Sequence, residues 1–141
     1  MTGEVILPEG NFVLPEKITA RKDADLALLY LPSHYGQDRA LEFLSPLQIQ
    51  ENEPLISAGF ALGTRLSGEV TITKGIFNNF RLPKNSPVRY VQTNISLVQG
   101  MSGGPLVNQC GKIVGVNTMA VSGLSFFIAG DSVTPLWLFT D

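Results

Sequence analysis

Gly100-Met101-Ser102-Gly103-Gly104-Pro105, running on into Leu106-Val107, is the stretch on which the reading of this chain turns. It has the form of a serine held in a tight turn whose backbone N–H groups converge on one point. Acyl transfer needs an oxygen nucleophile and, beside it, two donors aimed at the oxyanion of a tetrahedral intermediate. A glycine two positions before the serine lets the backbone bend so that the Gly100 and Ser102 N–H groups face the same spot. Gly103 and Gly104 then keep Cβ atoms away from an approaching substrate. The plainer alternative is a glycine-rich turn between two strands in which Ser102 is only a turn residue.

The flanks are β in character. Residues 88–96 lead into the turn as a strand, and beyond it residues 106–107, the Asn108-Gln109-Cys110-Gly111 turn and residues 113–118 read as strand, turn, strand. Short strands are expected over 55–58, 69–73, 75–80, 89–93, 105–107, 113–118 and 125–129, a spacing that predicts a barrel or a sandwich. Upstream, Val5-Ile6-Leu7 and Asn11-Phe12-Val13-Leu14 flank the turn signal Pro8-Glu9-Gly10 and predict a hairpin. The continuous apolar run 26–31 predicts a buried strand, and the polar stretch 33–39 lies in a connection that reaches to Pro54. At the far end, Ser132 is placed to cap a short helix with Pro135 in its first turn, docked by Trp137.

The run Gln92-Thr93-Asn94-Ile95-Ser96-Leu97-Val98-Gln99-Gly100-Met101-Ser102-Gly103-Gly104-Pro105-Leu106 resembles the serine segment of the trypsin-like, chymotrypsin-fold superfamily of serine proteases. It is most similar to the disulfide-free HtrA/Deg-type bacterial branch. Three more segments follow the family order. Asp23-Ala24-Asp25-Leu26-Ala27-Leu28-Leu29-Tyr30 resembles the aspartate motif, with Asp25 the aligned residue because it directly precedes the apolar strand. Ser57-Ala58-Gly59-Phe60-Ala61-Leu62-Gly63 and Val70-Thr71-Ile72-Thr73-Lys74-Gly75-Ile76-Phe77 resemble the first corner and next strand of the second barrel. Ser125-Phe126-Phe127-Ile128-Ala129 stands where the family has the strand lining its specificity pocket.

What the resemblance implies is an all-β fold, a chymotrypsin-like antiparallel β-barrel with the second barrel complete, the first partial, and a short C-terminal helix. Residues 1–45 would be the remnant of an N-terminal barrel plus the connection, and residues 46–141 a six-stranded C-terminal barrel with the serine turn and helix. The implied activity is that of a serine endopeptidase working through an acyl-enzyme on Ser102, with Asp25 orienting an imidazole and the Gly100 and Ser102 N–H groups forming the oxyanion hole. Ser96, Phe126, Phe127 and Ile128 align with the substrate pocket, and an uncharged pocket suits a small-to-medium hydrophobic side chain. An unpaired Arg or Lys buried there would carry a desolvation cost. Met101 departs from the family, which has Asn or Asp at that position, and this leaves open how the turn is propped.

One required part has no counterpart. The family order is His, Asp, Ser, yet the only histidine, His34, follows Asp25 and sits in the loop-like Pro32-Ser33-His34-Tyr35-Gly36. The strands that would carry the general base are therefore expected upstream of Met1. An unassisted serine hydroxyl is a weak nucleophile, so this chain alone is expected to be nearly inactive. Either it is part of a longer protease, or it is a protease-derived binding module or pseudoenzyme.

Bulk properties narrow the partners. With 141 residues, 44% hydrophobic and 16% charged, the chain has the length of one domain and the composition of a packed β protein. Ten basic and twelve acidic residues give a net charge of −2 with no basic cluster beyond Arg21-Lys22, which leaves nucleic acid without an electrostatic footprint. A single cysteine, Cys110, and a single histidine make neither an internal disulfide nor a metal site, and no cofactor is expected. No apolar run reaches membrane-span length, and the opening residues lack the basic-then-apolar pattern of a secretion signal. The resemblance implies a peptide or protein substrate, with a periplasmic or otherwise extracytoplasmic location for a full-length relative. A partial first barrel leaves sheet edges that invite either a homo-oligomer or a complementing N-terminal segment.

Overall fold

Side chains along a strand alternate between two faces, and residues 54–59 show it: Leu55, Ser57 and Gly59 are buried while their neighbours are not. In a computed structural model, this strand belongs to a closed barrel. The described residues are 4–7, 10–21, 24–32, 40–44, 48–60, 69–85, 88–97, 100–121 and 124–129. They form β1 (Val5–Ile6), β2 (Phe12–Val13), β3 (Lys17–Arg21), β4 (Leu26–Tyr30), β5 (Pro54–Gly59), β6 (Thr71–Arg81), β7 (Tyr90–Thr93), β8 (Pro105–Val107), β9 (Ile113–Val121) and β10 (Leu124–Ala129). The last six close the barrel in the order β10-β7-β6-β5-β8-β9, every neighbour antiparallel. The first four make two separate two-stranded sheets, β1-β2 and β3-β4.

Closure buries the inward faces of the barrel. Leu55, Phe77, Val91, Ile95, Leu106, Val114, Phe127 and Ala129 form one core cluster, joined by Ile49. Each large apolar side chain removed from water in this way contributes about 1.5–3 kcal/mol. A smaller cluster joins the front of the chain to the barrel: Ala24 and Val88 are buried, with Leu26, Phe43, Tyr90 and Val116 packed around them. Residues 42–44 are strapped to β9 as well, through a Phe43–Ile113 parallel bridge. Two main-chain hydrogen bonds complete that strap, Leu44 N–H to the Ile113 carbonyl and Ile113 N–H to the Glu42 carbonyl, both 2.8 Å. The β3–β4 hairpin, with Asp25 at its turn, is thereby held beside the barrel.

The all-β architecture and the six barrel strands agree with the reading of the sequence, and β1 and β2 form the expected hairpin, with Val5 opposite Val13. Three details differ. Residues 69–73 and 75–80 read as two strands, yet β6 runs unbroken through Gly75. A Cβ at Gly75 would collide with the Asn94 side chain and with Ile95. Glycine is there for a close approach, not for a turn. Second, β4 is not a buried strand. Leu26, Leu28 and Tyr30 are half-buried while Ala27 and Leu29 are exposed, because among the described residues β4 pairs only with β3. Third, β9 runs three residues further than the 113–118 expected, to Val121. His34, residues 61–63 of the Ser57–Gly63 corner, and the expected helix with Ser132, Pro135 and Trp137 lie outside the described residues.

Candidate active site

The serine turn is fixed from several sides before any substrate arrives. It leaves β7 through Thr93, whose Oγ1 accepts the Ile95 N–H at 3.1 Å, and Asn94, whose Oδ1 accepts the Ile76 N–H at 2.8 Å. Gly100 and Gly103 take φ of 97° and 90°, the left-handed region that suits glycine. Met101 is buried, its Cα and Cβ against Gly59 of β5. A Cβ on Gly104 would strike the Ala58 carbonyl, whereas one on Gly103 would meet open space. Gly104 therefore lacks a side chain so that the turn can press on β5, rather than to make way for substrate. Only Gly103 fits that expectation.

Ser102 is exposed, and its hydroxyl donates to the Thr118 carbonyl of β9 at 3.3 Å. Among the described residues, neither the Gly100 nor the Ser102 N–H has an acceptor. Across from the serine, Asp25 stands at the turn into β4 with φ 51°, a conformation that Asp tolerates better than most residues. Asp25 and Ser102 line the same cleft of about 460 Å³, whose other walls include Leu26 and Leu28 of β4 and Val116, Asn117 and Thr118 of β9. Two elements from different sheets thus bring a carboxylate and a hydroxyl to one apolar-walled space.

The residues aligned with the substrate pocket are dispersed. Ser96 is exposed and Phe126 half-buried. Phe127 is fully buried in the barrel core. Ile128 pairs with Tyr90 and Val116 through its position in β10. None of Ser96, Phe126 and Phe127 lines the cleft shared by Asp25 and Ser102. Asn117 and Thr118, which do, match no motif legible in the sequence. The signal for Asn117 was a single amide within the apolar run of β9.

Glu42 pairs with Lys112, and the hydrogen bond and positive charge of that lysine hold the Glu42 carboxyl below the usual range. No group of three or more His, Cys, Asp or Glu side chains that could hold a metal occurs among the described residues. Nor is any helix there long and apolar enough to cross a membrane. Cys110 is exposed.

A closed six-stranded antiparallel barrel bearing a glycine-lined serine turn is the architecture of the chymotrypsin-like β-barrels. Comparison with known proteins narrows the class. The trypsin-like peptidase domain matches residues 3–116, and the chain belongs to that family. Its relatives are HtrA-type serine proteases. It is 31% identical over 156 residues to the mitochondrial serine protease HTRA2 of Bos taurus, covering 92% of this chain and 34% of that protein. It is 29% identical over 143 residues to the Do-like serine protease HtrA of Bacillus subtilis, covering 94% of this chain and 32% of that one. Among solved structures, the HtrA-type protease AlgW with decapeptide superposes with a TM-score of 0.79 at 22% identity, over 93% of this chain and 41% of that one. The chain spans about a third of the length of the first two relatives.

Proposed function

We propose that this chain carries the nucleophile, the orienting carboxylate and the oxyanion donors of a serine endopeptidase: Ser102, Asp25, and the N–H groups of Gly100 and Ser102. The observation that supports it best is the cleft of about 460 Å³ lined by both Asp25 and Ser102, which has room for an imidazole ring. The single histidine, His34, follows Asp25 in the chain whereas the family order is His, Asp, Ser, so we assign the general base to a complementing segment. Residues 1–45 are assigned to a partial N-terminal barrel with its connection and residues 46–141 to the C-terminal barrel.

With a base in place the reaction follows from the groups present. Ser102 Oγ bonds to the carbonyl carbon of the peptide as its proton passes to the imidazole, and the carbonyl electrons move onto oxygen, where the two N–H groups receive the charge. Collapse breaks the C–N bond, and the imidazole returns its proton to the departing amine. Water then cleaves the Ser102 ester by the same two steps and restores the hydroxyl. Without the base, the oxyanion donors and substrate binding alone leave roughly 10³–10⁴-fold catalysis over water. The substrate is a peptide or protein with a small-to-medium hydrophobic side chain, whose pocket we assign from the family alignment to Ser96, Phe126, Phe127 and Ile128. That the related AlgW structure contains a decapeptide accords with a peptide ligand.

A second reading, a protease-derived binding module, draws on one observation. Ile6, Phe12 and Leu14 are about 60% exposed and Leu29 39%, all on or beside the two small sheets. Such a surface suits a complementing segment or a second copy of the chain. Hydrolysis of an activated peptide ester ending in a hydrophobic residue separates the two. The enzyme reading expects slow turnover that rises with added imidazole and disappears in Ser102→Ala, whereas equal turnover in the variant supports the binding module.

A further inference from the structure

Among the described residues, Asn117 is the one buried polar side chain that ties β9 to the serine turn. It is 4% exposed, and an amide so buried is costly unless its groups are paired. All its partners lie in the turn. Its Nδ2 donates to the Met101 carbonyl at 2.6 Å, its own N–H donates to the Gly104 carbonyl at 2.8 Å, and its carbonyl accepts the Gly103 N–H at 2.9 Å. The opposite amide orientation would set two oxygens against each other, so Nδ2 faces Met101. The Met101 carbonyl takes a second bond, from the Gly104 N–H at 3.1 Å.

That carbonyl matters because of what shares its peptide plane. No cis bond occurs among the described residues, and in a planar trans peptide the Met101 C=O and the Ser102 N–H point in opposite directions. Anchoring the carbonyl toward Asn117 therefore aims the Ser102 N–H the other way. Rotating the plane would break two hydrogen bonds and leave the Asn117 amide without its acceptor. The Met101 side chain supplies no polar brace, being apolar and packed against Gly59. We propose that Asn117 is a positioning residue for the oxyanion hole, holding the Met101–Ser102 peptide so that the Ser102 N–H stays available to an oxyanion. This rests on the reading of Ser102 as nucleophile.

The test compares two ligands of the full chain: a peptidyl boronic acid with a hydrophobic terminal residue, and the same peptide ending in an amide. Ser102 Oγ adds to boron as its proton is released to solvent, giving a tetrahedral anion whose oxygen occupies the oxyanion position; the amide makes only ground-state contacts. The wild type is expected to prefer the boronic acid. Removing an oxyanion donor outright costs about 10²–10³-fold, and Asn117→Asp or Asn117→Leu, which only release the peptide plane, should lower that preference about 10–100-fold. Affinity for the amide should hold within about twofold. Acidification to about pH 4 should restore the preference, relative to wild type at the same pH, in Asn117→Asp, because a protonated carboxyl can donate to the Met101 carbonyl. Asn117→Leu should show no such recovery.

Folded variants that keep the wild-type preference overturn the proposal. If both variants fail to fold, the wild type still decides: slow exchange of the Asn117 side-chain N–H protons must persist when the boronic acid shifts the Ser102 amide resonance, and its loss contradicts the proposal. A wild type with no preference for the boronic acid, unchanged by Ser102→Ala, removes the reading of Ser102 beneath it instead.

Discussion

Asp25, at the turn of one small sheet, and Ser102, at the mouth of the barrel, line one cleft although 77 positions separate them in the chain. What brings them together is packing: Ala24 and Leu26, on either side of Asp25, join Val88, Tyr90 and Val116 of the barrel in one apolar cluster. The carboxylate is therefore placed by its neighbours. Substitutions in that cluster should displace it without touching it.

Asp25 itself should be replaceable at little cost in stability but not in function. Its φ of 51° is one that Asn also tolerates. Asp25→Asn should change unfolding free energy by no more than about 0.5 kcal/mol in a denaturant titration. A β-branched replacement, Asp25→Val, should cost about 1–2 kcal/mol through backbone strain. In imidazole-supported ester hydrolysis Asp25→Asn should be at least about tenfold slower, since an amide cannot neutralise the imidazolium that forms.

The glycines of the turn should separate by what each faces. Gly104→Ala drives a Cβ into the Ala58 carbonyl, with backbone on both sides. Overpacking of this kind costs about 1–3 kcal/mol, and the upper end is expected here. Gly103→Ala meets open space but keeps φ at 90°, so its cost should be about 1–2 kcal/mol from conformation alone. Urea unfolding of the two variants, side by side, checks the order.

Gly75→Ala tests the continuity of β6. Its Cβ would displace the Asn94 side chain, which accepts the Ile76 N–H at 2.8 Å. A loss of about 2 kcal/mol is expected. The Ser96 region should loosen with it, visible as faster amide exchange of Ile95, whose N–H is bonded to Thr93 Oγ1.

Acid should weaken the strap between residues 42–44 and β9. Lys112 lowers the pKa of Glu42, so the folded state binds that proton less readily than the unfolded chain does. The associated stability is present above the ordinary glutamate pKa and is lost as pH falls through the lowered value in the folded state. Both side chains are solvent-accessible and such pairs contribute little. Glu42→Gln should therefore leave stability near neutral pH almost unchanged and remove only a shallow acid-side slope, read from unfolding titrations across that range.

Much of this architecture was legible in the sequence because strands of alternating or continuous apolar residues, punctuated by glycine, leave few folds open. The serine turn was legible for the same reason: glycine flanking a serine restricts what the backbone can do there. Three features were not. Gly75 in a strand reads as a break, and only the approach of Asn94 shows that it is a contact. The apolar run 26–31 reads as buried, but burial depends on partner strands that a local pattern does not encode, and Leu29 is 39% exposed. Asn117 does not stand out in the sequence because its importance lies in bonds to Met101, Gly103 and Gly104, more than ten residues away. Met101 left a question that the sequence posed and could not answer, namely what holds the turn in place of a polar residue.

The central claim is that Ser102 awaits an imidazole in the cleft it shares with Asp25, its hydroxyl meanwhile bonded to a carbonyl that cannot take its proton. Labelling with a fluorophosphonate, followed by mass-spectrometric mapping of the modified residue, tests it most directly. The account predicts one adduct, on Ser102, forming slowly in buffer, accelerating at least about tenfold with added imidazole, and losing that acceleration in Asp25→Asn. Label spread over other hydroxyls, or a Ser102 rate indifferent to imidazole, would contradict it.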